Sequence, residues 1–289
     1  MFRSPSCSGI KRGSPAQYDY VILGGMKWIP CCFLVVSVAQ AQFAVEEMLT
    51  PYVYTNSTGE TFPYRMKAPQ FPAAGKKYPL ILFLHGSGEC GTDNLAQLKV
   101  GVPALMSTLL KTPEPVMVVA PQCQAGNRWV KRLAMREDYA ASREPAPALE
   151  VALEICRYLV AERQADPDRL YITGLSLGGF GTWDAVQREP SLFAAAIPVC
   201  GGGDIRRVQE IKKMPVWIFH GTEDKNVPVG CSRRMAEALK LAGHSHVRYT
   251  EYEKADHFIW DRVYADPQVV GWLLRQNKAR KPWWKFWEK

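Results

Sequence analysis

The sequence predicts an α/β protein: a doubly wound, mostly parallel sheet flanked by helices. Three observations carry this expectation. Short continuous apolar runs recur along the chain, helical-period segments alternate with them, and no repeat or low-complexity linker interrupts Phe43 to Asn277. With 289 residues, 47% apolar and 22% charged, the chain can build one domain with a sizeable core, and wholesale disorder is excluded.

The elements follow in order. Phe43 to Lys67, with Pro51-Tyr-Val-Tyr and Thr61-Phe-Pro-Tyr-Arg, reads as a leading antiparallel pair at the sheet edge. Tyr78 to Leu84, Val116 to Ala120, Leu170 to Thr173, Ala194 to Val199 and Val216 to Phe219 are short apolar runs bounded by Gly, Pro or Asp. Such runs suit strands buried on both faces of a parallel sheet. Val247 to Glu253 alternates more and fits an edge strand. Ala148 to Arg163 is the clearest helix, with Leu149, Ala152, Leu153, Ile155, Cys156, Leu159 and Val160 at helical spacing. Gly179 to Arg188, Ser232 to Leu241 and Pro267 to Gln276 read as further helices. Alternation of this kind implies right-handed crossovers, with chemistry in the loops at the carboxyl ends of the strands.

The formal charge of +8 admits nucleic acid or an anionic surface as partners only if the charge sits on the folded body. It does not. Residues 1–41 carry +3, residues 278–289 carry +4, and the body between them carries +1. No nucleic-acid partner is expected.

Met26-Lys-Trp-Ile-Pro followed by an apolar run to Ala39 and the Ala39-Gln-Ala41 site is a secretory signal pattern. The apolar run is shorter than the roughly 18 residues a membrane span needs. Cleavage is expected after Ala41, with Met26 as the working start, and the mature protein is expected to be secreted or periplasmic. Five cysteines would remain, Cys90, Cys123, Cys156, Cys200 and Cys231. The odd number leaves at least one thiol unpaired within the chain. Cys90 and Cys123 are the favoured disulfide partners, each lying shortly after a strand. No cysteine or histidine spacing suggests a zinc site, and no metal or cofactor is expected.

Leu170-Tyr-Ile-Thr-Gly-Leu-Ser-Leu-Gly-Gly-Phe-Gly181 runs from a strand through Gly174-x-Ser176-x-Gly178 into a helix. A serine held on so sharp a turn stands clear of the sheet, and the following helix aims its amino end at a developing oxyanion. Ser176 is the expected nucleophile. Its base should follow it along the chain, and among the histidines that do, the choice is His257, which follows the last predicted strand in Ala255-Asp-His-Phe-Ile-Trp260. The orienting acid should lie between them, and Asp224 in His220-Gly-Thr-Glu-Asp224 is preferred over Glu223, with Asp256 as the alternative. His85 is assigned to an oxyanion loop and His220 to a structural role, while His244 and His246 are expected to be solvated. The oxyanion donors are expected to be the Leu177 N–H and an N–H at Ser87, or alternatively Gly88.

These segments resemble the α/β-hydrolase superfamily. Leu84-His-Gly-Ser-Gly-Glu-Cys-Gly-Thr-Asp-Asn94, Ala120-Pro-Gln-Cys123, Asp166 to Trp183, His220-Gly-Thr-Glu-Asp224 and His257-Phe-Ile-Trp260 are most similar to secreted esterases and peptidase-like members of the polyhydroxybutyrate-depolymerase, feruloyl-esterase and phospholipase/carboxylesterase group. The resemblance spans about Tyr78 to Gln276 and implies the α/β-hydrolase fold, with nucleophile, acid and base at Ser176, Asp224 and His257. It also implies cleavage of carboxylic esters, including acyl groups on polysaccharide or aromatic-acid esters. Trp129 and Trp260 are candidates to line the substrate pocket, with core packing as the competing reading. A serine peptidase of the same fold, or a binding protein that kept the scaffold, are the alternatives.

The division expected is a leader over 1–41, a catalytic domain over 42–277 and a basic aromatic tail over 278–289. Lysines mixed with Trp283, Trp284 and Trp287 suit weak contact with a membrane or polysaccharide surface.

Overall fold

The computed structural model describes residues 45–131, 137–211 and 213–279. The expected leader, its cleavage site and all but the first two residues of the tail lie outside them.

Eight strands form one sheet in the order β1-β2-β4-β3-β5-β6-β7-β8. The strands β1 (Thr50–Thr55) and β2 (Thr61–Lys67) pair antiparallel, and β2 pairs antiparallel with β4 (Met117–Pro121). From there β4, β3 (Tyr78–Leu84), β5 (Ala165–Leu175), β6 (Ala195–Val199), β7 (Val216–Gly221) and β8 (Val247–Tyr252) run parallel. This is the doubly wound, mostly parallel sheet the sequence predicts, with the leading hairpin at one edge and β8 at the other.

Every residue of β3, β4 and β6 is buried. Their side chains alternate between two apolar layers, so that Leu80, Leu82 and Leu84 enter one while Ile81 and Phe83 enter the other. One layer is covered by α2 (Pro147–Glu162), α3 (Leu177–Arg188) and α4 (Gly230–Leu241). The other is covered by α1 (Val102–Leu109), α5 (Trp260–Ala265) and α6 (Pro267–Leu274). Burying both faces explains why these strands read as unbroken apolar runs.

Two helices escape the sequence pattern. α1 is apolar on most sides, and α5 spans 6 residues, too few to show a period. β5 begins earlier than its apolar run, because Ala165 pairs with Tyr78 across a register shift and draws Asp166 to Arg169 into the strand. None of the described helices is long and apolar enough to cross a membrane.

Candidate active site

β5 delivers Ser176 beyond its carboxyl end and α3 starts at the next residue. The turn between them holds Ser176 at φ 53° and ψ −116°, a conformation a non-glycine residue keeps only when its surroundings enforce it. Two backbone hydrogen bonds do so. The Ser176 N–H donates to the Val199 carbonyl at 2.9 Å, and the Phe180 N–H donates to the Ser176 carbonyl at 3.1 Å. The flanking glycines permit the approach. A methyl group on Gly178 would sit 1.9 Å from the Leu84 carbonyl oxygen, and one on Gly174 would sit 2.4 Å from the Gly178 oxygen.

The loop between β8 and α5 carries His257, whose Nε2 lies 2.9 Å from Ser176 Oγ and whose Nδ1 lies 2.6 Å from Asp224 Oδ2. Asp224, in the loop after β7, accepts the N–H groups of Asn226 and Val227 on Oδ1 at 2.9 and 2.8 Å. Burial alone would raise its carboxyl. Hydrogen bonds from His220, His257 and the Val227 N–H outweigh burial and hold it well below the usual carboxylate range. An ionised carboxylate only accepts, so the proton of neutral His257 belongs on Nδ1, which leaves the Nε2 lone pair facing the serine hydroxyl. Asp256 does not reach this ring; its carboxylate accepts the Phe258 N–H at 2.9 Å. Glu223 contributes a backbone N–H to the Ala255 carbonyl.

Leu177 opens α3, so its N–H has no intrahelical carbonyl to meet and is free to face an anion. Ser87 and Gly88 lie exposed in a short 3₁₀ turn, Ser87–Glu89, after β3. Gly86 also approaches the serine: a methyl group there would sit 3.7 Å from Ser176 Cβ and 2.9 Å from a Glu89 carboxylate oxygen. Gly86 and Glu89 were not singled out by sequence; the signal available was their place in the same His85-Gly-Ser-Gly-Glu89 run.

His85 anchors that turn. Its ring is fully buried, Nδ1 donates to the Gly86 carbonyl at 2.6 Å, and Nε2 accepts the Cys123 N–H at 2.9 Å. Burial pushes its pKa down to about 4, so the ring is neutral. Trp129 is 1% exposed, donates Nε1–H to the His85 carbonyl at 2.9 Å and packs edge-on against the His85 ring. It is therefore a packing residue behind the turn, which corrects its expected place in a substrate pocket. Trp260 is also buried and stands perpendicular to the His257 ring at 5.4 Å, whereas Phe258, edge-on to both, is 66% exposed.

Two other expectations change. His244 is buried rather than solvated, because its Nδ1 accepts the His246 N–H at 3.1 Å and closes the turn before β8. Cys90 and Cys123 are free thiols rather than a disulfide, although they lie close enough to influence each other's ionisation, and the Cys90 thiol donates to the Asn127 carbonyl at 3.8 Å. Among the described residues Cys200, His220 and Asp224 bring three potential metal-ligand atoms within 4.8 Å of one another. The His220 nitrogens and the Asp224 oxygens already hold hydrogen bonds. A cavity of about 630 Å³, lined in part by Phe193, Ala194 and Pro215, opens at the amino ends of β6 and β7, the end of the sheet away from Ser176.

A doubly wound sheet with a serine on a strand-turn-helix elbow, an acid after β7 and a histidine after β8 defines the α/β-hydrolase fold, and the chain has that fold. Its similarities lie with esterases and peptidases of that fold. Residues 150–214 match the prolyl oligopeptidase family. Poly(3-hydroxyalkanoate) depolymerase C of Paucimonas lemoignei is 34% identical over 124 residues, covering 43% of this chain and 28% of the depolymerase. The protein named "Probable carboxylesterase Os04g0669600" from Oryza sativa subsp. japonica is 25% identical over 202 residues, covering 65% of this chain and 85% of its own. The crystal structure of a thermostable esterase superimposes with a TM-score of 0.75 at 37% identity, over 81% of this chain and 64% of that one. The chain thus spans less than two-thirds of the depolymerase and of the thermostable esterase.

Proposed function

We propose that the protein is a serine hydrolase that cleaves carboxylic esters through an acyl-enzyme intermediate, with Ser176 as nucleophile, His257 as general base and Asp224 as the orienting acid. The observation that carries this reading is the unbroken line of contacts from Ser176 Oγ to His257 Nε2 at 2.9 Å and from His257 Nδ1 to Asp224 at 2.6 Å, on a serine whose backbone is held in a strained turn.

His257 takes the hydroxyl proton as Ser176 Oγ adds to the ester carbonyl, and Asp224 stabilises the resulting imidazolium. The Leu177 N–H and a backbone N–H of the Gly86 to Gly88 turn bind the oxyanion. His257 then returns the proton to the departing alcohol. Water, deprotonated by the same ring, attacks the acyl-serine and releases the acid. No metal or cofactor takes part in these steps.

Acyl groups on polysaccharide or aromatic-acid esters are the proposed substrates, with the exposed Phe258 beside His257 offering a ring for such groups to pack on. The signal pattern supports a secreted or periplasmic enzyme, and the basic aromatic tail supports weak contact with a polymer or membrane surface. Turnover of acetyl, feruloyl and longer-chain p-nitrophenyl esters tests the ester reading: turnover of none of them in folded protein removes it. A peptidase is the second reading, favoured by the match of residues 150–214 to the prolyl oligopeptidase family. Hydrolysis of short blocked peptides faster than any ester would establish it instead.

A further inference from the structure

Behind the acid lies a second histidine that the reaction above does not use. His220 ends β7 with no exposed surface. Its Nε2 faces two acceptors, Asp224 Oδ2 at 3.1 Å and the Val227 carbonyl at 3.0 Å. Neither can donate, so Nε2 carries a proton. Its Nδ1 lies 2.7 Å from the hydroxyl of Ser232 on α4, and that hydroxyl lies 3.0 Å from the Gly201 carbonyl. The Ser232 proton can be directed to Nδ1 or to the Gly201 carbonyl. Nε2 donates in either case.

The Asp224 oxygen that Nε2 faces is Oδ2, the same oxygen that accepts from His257 Nδ1. We propose that His220 is a positioning residue of the active site, which acts on His257 through Asp224 by pinning Oδ2 and sharing its negative charge. The proposal rests on the serine-hydrolase reading. Two consequences follow from one contact. The carboxylate is held in the plane His257 needs, and the pull it exerts on an imidazolium at position 257 is moderated. Removing the His220 donor therefore strengthens that pull while loosening its direction, so His257 is more readily protonated and less well aimed at Ser176.

The other ionisable groups around His220 are already committed. The Cys200 thiol, from the end of β6, is pushed well up by burial and stays protonated. Glu251, opposite His220 in the β7/β8 register, pairs with Arg233. Asp256, from the loop after β8, is engaged by the Phe258 N–H. Glu251 and Asp256 are acceptors and cannot replace a donor to Oδ2, while the Cys200 thiol beside Asp224 already donates to the His257 carbonyl at 3.5 Å.

The test is the pH dependence of kcat/KM for a p-nitrophenyl ester in wild type, His220→Leu and His220→Gln, with active sites counted by a fluorophosphonate probe. For His220→Leu, loss of one hydrogen bond to a charged group predicts kcat lower by about tenfold with KM within about twofold. The acidic limb is expected to rise by about half a pH unit. His220→Gln, whose amide N–H can occupy the place of Nε2, is expected to restore the limb. A folded, labelled His220→Leu protein with an unmoved limb overturns the proposal. If that variant does not fold, His220→Met takes its place: it too removes the donor beside Oδ2 and should shift the limb in the same direction, and an unmoved limb there overturns the proposal equally. Absence of labelling at Ser176 in the wild type would instead overturn the underlying hydrolase reading, whatever the His220 variants do.

Discussion

Replacing Gly178 by alanine tests the link between elbow geometry and fold. The added methyl would lie 1.9 Å from the Leu84 oxygen, 2.6 Å from the Leu84 carbon and 2.7 Å from the His85 oxygen. All three are backbone atoms, and two belong to the central strand β3, so no side chain can swing aside to relieve the clash. Overpacking that flexible neighbours absorb costs about 1 to 3 kcal/mol, and this case belongs at or above the upper end. For a domain of this size about 3 kcal/mol corresponds to a drop in Tm of about 6 to 12 °C. Any relief must move β3 away from the elbow and carry the Gly86 turn with it, so activity per folded molecule should fall as well. Gly88→Ala is the control, because a methyl there meets nothing within 4 Å. Thermal unfolding followed by circular dichroism, with active sites titrated in parallel, measures both effects. A Gly178→Ala protein that melts within about 2 °C of wild type with full activity would refute the packing argument.

Other perturbations separate parts of the account. Asp224→Asn can present an amide donor to His257 Nδ1 and so favours the tautomer whose proton faces Ser176; kcat should fall about 10³ to 10⁴-fold with KM little changed, read by steady-state kinetics. Burial holds neutral His85 near a pKa of about 4, whereas the unfolded chain takes up that proton near pH 6.5. The unfolded state therefore binds more protons between those values, and stability should fall by on the order of 3 kcal/mol as pH drops from about 6.5 to 4. Urea unfolding across that range should show a flatter dependence in His85→Leu, which is also less stable at pH 7. On α3, Arg188 pairs with buried Asp184 at 2.9 Å and also ties down the Ser142 and Arg143 carbonyls. Arg188→Met strands that carboxylate and should cost about 3 to 5 kcal/mol, and Asp184→Asn in the same chain should recover part of it, as chemical denaturation will show.

How far the residues themselves disclose this molecule depends on how local each signal is. β3, β4 and β6 are legible because burial on both faces leaves an apolar run that nothing interrupts. The Ser176 elbow is legible because its glycines answer contacts fixed by the turn and by β3. α5 is not, since its 6 residues gain their order from packing Val263 and Tyr264 into the core rather than from a pattern. The burial of Trp129 was equally hidden, because the carbonyl that receives its N–H lies 44 residues earlier in the chain. The favoured Cys90 and Cys123 pairing drew on proximity to strand ends; the thiols are indeed neighbours, and proximity alone does not make a bond. Least visible was the part His220 plays, because a histidine in a His-Gly-x-x-Asp run reads as loop support until the oxygen it shares with His257 is located.

The central claim is that Ser176 is the nucleophile, and covalent labelling tests it most directly. Intact mass and peptide mapping after treatment with a fluorophosphonate should show one adduct per chain, on Ser176, with no adduct and no ester turnover in a folded Ser176→Ala protein. An adduct on another residue, or ester turnover that survives the substitution, would contradict it.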